Sequence, residues 1–199
     1  MAKRAFDLLL AGLGLLLLSP LLLLIALAVR LDSAGPVFYR QARVGRHGVP
    51  FRIHKFRTMT HDPRAAGPQI TVGADPRITR VGAWLRRHKL DELPQLIDVL
   101  RGTMSLVGPR PEVPRYVALY PEALRAKVLS VRPGITDLAS IAFRHESELL
   151  ARAADPEREY VQVVMPQKLA LAARYAETAS LGLDLKILWR TLCLLAGRA

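Results

Sequence analysis

LLLAGLGLLLLSPLLLLIALAV, residues Leu8–Val29, is a run of 22 positions without a charge, bracketed by Lys3, Arg4 and Asp7 on one side and Arg30 and Asp32 on the other. It meets the roughly 20 apolar residues that a helix needs to cross a bilayer core. Ser19-Pro20 falls in the middle. Proline inside a helix removes one backbone hydrogen bond and crowds the preceding turn, so a kink is expected there. The Ser19 hydroxyl is placed to bond back to the carbonyl of Leu15. The limbs Phe6–Ser19 and Pro20–Leu31 measure about 21 and 18 Å, each short of the roughly 30 Å hydrocarbon core. Lys3 and Arg4 precede the run and seven cations follow it between Arg30 and Arg57, and such residues prefer the cytoplasmic side. A re-entrant helix-break-helix that dips in and returns satisfies both flanks. A mildly kinked spanning helix satisfies the length equally, since membrane helices tolerate Pro. Ala26-Leu27-Ala28 has the form of a signal-peptide cleavage site, although the apolar run is long for one.

Outward from this segment, the 199 residues suit one domain with a real core. The expected division is a membrane segment over 1–31 and a membrane-associated domain over 32–199, together one functional unit. His61–Ala74, rich in Pro, Gly and Ala, is the strong loop candidate. Lys and Arg outnumber Asp and Glu by 29 to 17, for a net charge of +12, and residues 1–60 carry nine basic against two acidic side chains. That part should face phosphate, of lipid or ligand. The charge alone also fits a nucleic-acid binder or a membrane-anchored scaffold. The first leaves the apolar segment unexplained and needs its Arg along one helix face, whereas these sit in Pro and Gly turns. The lone Cys193 lies in an apolar stretch, where a thiol packs as a small hydrophobe.

Val37–Val44 and Val49–Met59 are rich in β-branched and aromatic residues and flank Gly45-Arg46-His47-Gly48, which predicts a β-hairpin. It would bring Arg40, Arg43, Arg52, Lys55 and Arg57 into one region. Ile78, Val81, Trp84, Leu85 and His88 recur at helical spacing. A helix should start near Leu93-Pro94 and stop at Gly102. Met104–Glu112 holds too many Pro and Gly residues for regular structure. Pro121–Ser130 and Pro156–Ser180 read as helices around an extended stretch, Arg132–Phe143. Leu181–Leu195, with Trp189, Lys186 and Arg190, suits a membrane interface or a core. The fold class is α+β, mainly helical, with a small hairpin and amphipathic interfacial helices.

The acidic pair Asp91-Glu92 stands just before a helix start, where carboxylates cap free N–H groups and offset the dipole with no need of catalysis. Its neighbours Arg77, Arg80, Arg86, Arg87 and Lys89 give it a second reading, a nucleophile or metal ligand beside a phosphate-binding field. Lys55–Met59, Gly108-Pro109-Arg110-Pro111 and Arg132-Pro133-Gly134-Ile135-Thr136 each set a cation in or near stiffened chain. A fixed guanidinium grips phosphate by two parallel hydrogen bonds.

Gly35–Phe38, Lys55–Met59, Asp75–Thr79, Leu90–Leu96, Met104–Pro111 and Arg132–Thr136, in this order, resemble the monotopic phosphoglycosyl transferases, bacterial sugar transferases. The resemblance runs from about Lys3 to Arg144. It implies a re-entrant helix broken at Ser19-Pro20, on the cytoplasmic face of a bacterial inner membrane. It also implies transfer of a sugar-1-phosphate from a UDP-sugar to polyprenyl (undecaprenyl) phosphate, the first membrane step of glycoconjugate or exopolysaccharide assembly. Asp91 would be the nucleophile, Glu92 its helper, and both would serve as ligands for Mg2+. Arg86, Arg110, Arg132 and Arg144, with Lys55 and Arg57, would bind phosphate and nucleotide. The implied partners are the UDP-sugar, polyprenyl phosphate and membrane lipids, with no nucleic acid; a homo-oligomer is left open. After Thr136 the chain departs from the usual family run, reading Asp137-Leu138-Ala139-Ser140-Ile141. Lys89 stands where Ser is common and Thr103 where Asp is common.

Overall fold

A computed structural model describes residues 1–60 and 75–197. The loop expected at His61–Ala74 lies outside them. Among the described residues, helices dominate and strands are short.

Helix α1 (Ala2–Asp32) carries the apolar run as a single helix with Pro20 inside it, so the expected break does not interrupt the helical backbone. The reason lies in the neighbouring side chain. Pro20 has no N–H for the carbonyl of Leu16, its i−4 acceptor. The Ser19 hydroxyl donates to that carbonyl at 2.8 Å. Its partner is therefore Leu16 rather than Leu15, and it replaces the bond that proline removes.

One stripe of α1 faces the protein. Asp7, Ala11, Ile25 and Val29 are buried; Leu15 and Leu18 pack on one core cluster and Leu22 and Ala26 on another. Three- and four-residue steps place these on a single face. The leucines between them, including Leu9, Leu16, Leu17, Leu23, Leu24 and Leu31, are exposed. Both ends are also tied down. At the start, Lys3 Nζ donates to the carbonyl of Val107 and to Asp184, Arg4 donates to the carbonyls of Val99 and Leu100, and Asp7 accepts from the Ser105 hydroxyl and from Leu106 N. At the end, Arg57 donates to the carbonyls of Val29, Ser33 and Ala34, and Asp32 accepts from Val81 N.

The hairpin forms in two pieces on one register. Strand β1 (Phe38–Tyr39) pairs with β4 (Lys55–Phe56), and β2 (Ala42–Val44) with β3 (Pro50–Arg52), both antiparallel. His47 and Gly48, at φ 58° and 78°, make the turn. Thr79 caps α2 (Arg80–Arg87) by accepting from Gly82 N. Helix α3 (Gln95–Arg101) stops at Gly102, whose φ of 84° is left-handed, the usual way a helix ends on glycine.

The segment read as irregular holds a strand instead. Strand β5 (Ser105–Val107) pairs in parallel with β6 (Gly134–Thr136), itself part of the stretch read as extended. The pairing depends on contact of bare backbone: a Cβ on Gly134 would lie 2.1 Å from Gly108 N. Beyond it come α4 (Pro114–Val117), α5 (Glu122–Val128), α6 (Leu138–Ala142), α7 (Glu146–Ala151), α8 (Pro156–Glu159), α9 (Met165–Thr178) and α10 (Leu181–Leu195). A π-turn at Tyr160–Val164 joins α8 to α9. Val113, Tyr116, Val128, Leu150, Tyr160, Val164 and Leu169 form the core of this later part. Helix α10 buries Ile187 and exposes Leu185, Trp189, Leu192 and Leu195, the steps of one outer face.

Candidate active site

The dyad is built where the chain turns from α2 into α3. Lys89 adopts a left-handed backbone, φ 56°, and delivers the chain into a 3-10 turn at Leu90–Glu92. Such a conformation costs a non-glycine residue about 1–3 kcal/mol and is characteristic of functional sites. Pro94 then stands as the N-cap of α3, its fixed φ already helical. Asp91 is buried and Glu92 nearly so.

Two cations close on the pair. Lys55 Nζ lies 3.1 Å from Asp91 Oδ2 and 3.0 Å from Glu92 Oε1. Arg110 sets Nη1 at 3.0 Å from Glu92 Oε2 and Nη2 on Oε1, a two-bond fork. Burial alone would push the Glu92 carboxyl up, but the Arg110 and Lys55 charges outweigh it and hold the group well below the usual carboxylate range. Arg110, reciprocally, is pushed up, with the Glu92 carboxylate as the main cause.

The cations are themselves held. Lys55 follows His54, a buried residue gripped by Asp98 of α3: His54 N donates to Oδ2 at 2.8 Å and Nδ1 lies 2.7 Å from Oδ1. Arg101 Nη1 approaches His54 Nε2 at 3.3 Å. Arg110 leaves β5 just past Gly108, and Asp137 accepts from its backbone N–H at 3.1 Å and from Ser140 N at 2.6 Å. Glu112 accepts from Arg43 at 2.9 Å and from the Tyr160 hydroxyl. Arg43 also donates to the carbonyl of Pro111, so this buried network supports the chain beside Arg110.

Of the residues singled out from the sequence, Asp91, Glu92, Lys55 and Arg110 come together. Arg86 sits half-buried in the last turn of α2, a helix packed against the Leu90–Glu92 turn. The others stand elsewhere. Arg57 is buried, and its hydrogen bonds go to the carbonyls at the end of α1, which gives it the task of a helix cap. Arg132 donates from Nε to the carbonyl of Gly102. Arg144 is exposed and donates to its neighbour His145. The hairpin cations likewise separate: Arg40 bonds the Arg52 carbonyl, Arg43 joins Glu112, and Lys55 alone of these three reaches the dyad. Sequence reading did not single out His54, Asp98 or Glu112. A histidine in a strand-forming run beside Lys55 was the available signal.

No group of three or more His, Cys, Asp or Glu side chains arranged to hold a metal occurs among the described residues. Asp91 and Glu92 still offer hard carboxylate oxygens. Magnesium commonly takes one or two carboxylates and completes its shell from substrate phosphate and water, so the donor set fits. Both Glu92 oxygens are engaged by cations, and Asp91 meets Lys55 through Oδ2.

A largely exposed apolar helix docked on a domain that presents a buried acidic pair between a lysine and a forked arginine is compatible with a membrane-associated class of protein. The profile of the family described as bacterial sugar transferase matches residues 1–198. This chain belongs to that family. It is 43% identical over 202 residues to the UDP-glucose:undecaprenyl-phosphate glucose-1-phosphate transferase of Caulobacter vibrioides, covering 95% of this chain and 67% of the relative. It is 43% identical over 196 residues to the undecaprenyl-phosphate glucose phosphotransferase of Komagataeibacter xylinus, covering 96% of this chain and 35% of that protein. For the UDP-glucose:undecaprenyl-phosphate glucose-1-phosphate transferase of Escherichia coli K12 the values are 41% over 192 residues, 95% and 39%. The chain thus spans well under half the length of the latter two relatives.

Proposed function

We infer that this chain transfers a sugar-1-phosphate from a UDP-sugar to undecaprenyl phosphate by way of a covalent intermediate on Asp91. The observation that carries the reading is the pairing of Asp91 with Lys55 beside a Glu92 already held by Arg110. An Asp91 carboxylate oxygen attacks the sugar-bearing phosphorus. The bond from that phosphorus to the UMP oxygen breaks, UMP leaves with the bonding pair, and the sugar phosphate stays on Asp91 as an acyl phosphate. An oxygen of undecaprenyl phosphate then attacks the same phosphorus and returns Asp91 as a carboxylate. Lys55 keeps Asp91 oriented and offsets its charge as the anionic diphosphate approaches. Arg110, whose fork matches phosphate as well as carboxylate, grips the diphosphate. Arg86, in the last turn of the helix packed against the dyad turn, is a secondary contact for phosphate or nucleotide. Asp91, with Glu92 assisting, would hold magnesium, which would supply charge neutralisation of the diphosphate.

The same reading places α1 re-entrant in the cytoplasmic leaflet of the inner membrane, with the domain below it. A helix of 31 residues measures about 46 Å if straight. Its two ends bind one body and one of its faces rests on that body throughout, whereas a spanning helix would carry its ends to opposite sides. The outer stripe of α10, flanked by Lys186 and Arg190, suits the interface beside it.

Incubating the protein with magnesium and UDP-glucose labelled in the sugar-attached phosphate, without undecaprenyl phosphate, tests the mechanism. Label should appear on the Asp91 peptide with release of UMP, and Asp91→Asn should fold while turnover falls by at least about a thousandfold. Full activity in folded Asp91→Asn, or label on another residue, overturns the assignment.

A further inference from the structure

We propose that His54 and Asp98 are positioning residues for Lys55, and that they act through one fixed tautomer of the His54 ring. The proposal rests on the role given to Lys55 at the dyad. Asp98 lies on α3, the helix that the dyad turn leads into, while His54 directly precedes Lys55. The Asp98 carboxylate therefore pins the chain entering β4 to the helix after Asp91-Glu92. Its two bonds to His54, 2.8 and 2.7 Å long and both buried, set the gap that Lys55 bridges.

The ring's protonation follows from its partners. A guanidinium offers only donors, so Arg101 at 3.3 Å requires His54 Nε2 to accept. The proton then sits on Nδ1 and is donated to Asp98 Oδ1. Asp98 Oδ2 takes the hydrogen of His54 N. The geometry thus needs two acceptors from residue 98 and one donor from residue 101.

Asp98→Asn violates this pattern at one atom. The asparagine oxygen faces His54 N–H, its NH2 faces Nδ1, and the ring must move its proton to Nε2, against the donors of Arg101. Arg101→Gln relieves the conflict, because the glutamine amide can present its oxygen to Nε2–H. In the wild-type background the same amide turns its NH2 to Nε2 and leaves the tautomer alone. A residue that merely stabilised the fold would leave the reactivity of Lys55 in the folded protein unchanged.

The test has a readout independent of turnover, the rate at which Lys55 is acylated by acetic anhydride in the intact protein, followed by peptide mass spectrometry. Asp98→Asn should raise that rate several-fold and lower kcat with UDP-glucose and undecaprenyl phosphate by about tenfold, leaving KM near its starting value. Asp98→Asn/Arg101→Gln should reverse both effects. If Asp98→Asn does not fold, His54→Asn, whose amide nitrogen stands near the place of Nδ1, should protect Lys55 and His54→Ala should not. Wild-type acylation rates in Asp98→Asn, no rescue in the double variant, or equal rates in His54→Asn and His54→Ala would overturn the proposal. A wild-type protein inactive with every UDP-sugar would instead defeat the functional reading, and the acylation rates would still decide this one.

Discussion

Arg110 lays its guanidinium across the Glu92 carboxylate, one nitrogen to each oxygen. The arrangement is specific to a planar fork. Lysine at 110 would keep the charge and lose one of two charge-assisted bonds, each worth about 1.5–3 kcal/mol. Arg110→Lys should therefore reduce kcat/KM by about ten- to a hundredfold. Unchanged steady-state kinetics would show that the fork is not used.

The same pair gives a pH signature. Burial pushes the Glu92 carboxyl up, while Arg110 and then Lys55 hold it below the usual range. A carboxyl lowered by folding contributes stability that is fully present above its unfolded value and lost as pH falls through the folded value. Arg110→Leu removes the larger opposing charge and leaves the burial, so this loss should begin at higher pH than in the wild type. Thermal unfolding midpoints of both proteins from about pH 3 to about pH 7 would show it. Superimposable curves would remove Arg110 as the cause of the shift.

Membrane topology is open to chemical labelling. In a Cys193→Ser background, single cysteines replacing Ala2 and Arg40, both exposed, should react only with reagents that reach the cytoplasm. Periplasmic labelling at position 2 would rule out the re-entrant placement. Pro20→Leu restores a donor for the Leu16 carbonyl, and the helix should tolerate it.

Much of the architecture was legible because it is local. The apolar length of α1, the Gly-rich hairpin turn and the stop at Gly102 are each specified within a few residues. The consequence of Pro20 was not, because it depended on which carbonyl the Ser19 hydroxyl would choose. Strand β5 was missed because it has three residues, too few to show a period, and its pairing with β6 is parallel between distant segments. At the site, Asp91, Glu92 and Arg110 could be picked out by residue type and turn chemistry. Whether Lys55 or Arg57 would reach the dyad could not, since residues two apart on an extended chain share a face only while the strand stays regular. Here β4 ends at Phe56, and Arg57 turns to the end of α1.

Asp184, fully buried at the start of α10, holds Lys3 at 2.5 Å and the Tyr175 hydroxyl at 2.7 Å. Lys3→Met would leave the carboxylate in place without its cation. Removing one partner of a buried pair costs about 3–5 kcal/mol; Lys3 is partly exposed, so the lower end is expected, read as a fall in the detergent unfolding midpoint. Lys3→Arg should recover part of it. A midpoint unchanged in Lys3→Met would mean that the pair does not hold α1.

That contact also sets a timetable for synthesis. Lys3 and Asp184 are 181 residues apart, which at about 5–20 residues per second leaves the apolar helix waiting roughly ten to forty seconds for its last partner. In the first part of that interval, until α3 and β5 have been made, Asp7 and Ala11 have no surface to rest on. The carboxylate of Asp7, unpaired until Ser105 and Leu106 arrive, is then a charge near the start of the segment that discourages deep insertion. The polar end of the stripe thus serves the ribosome-bound chain before it serves the folded one.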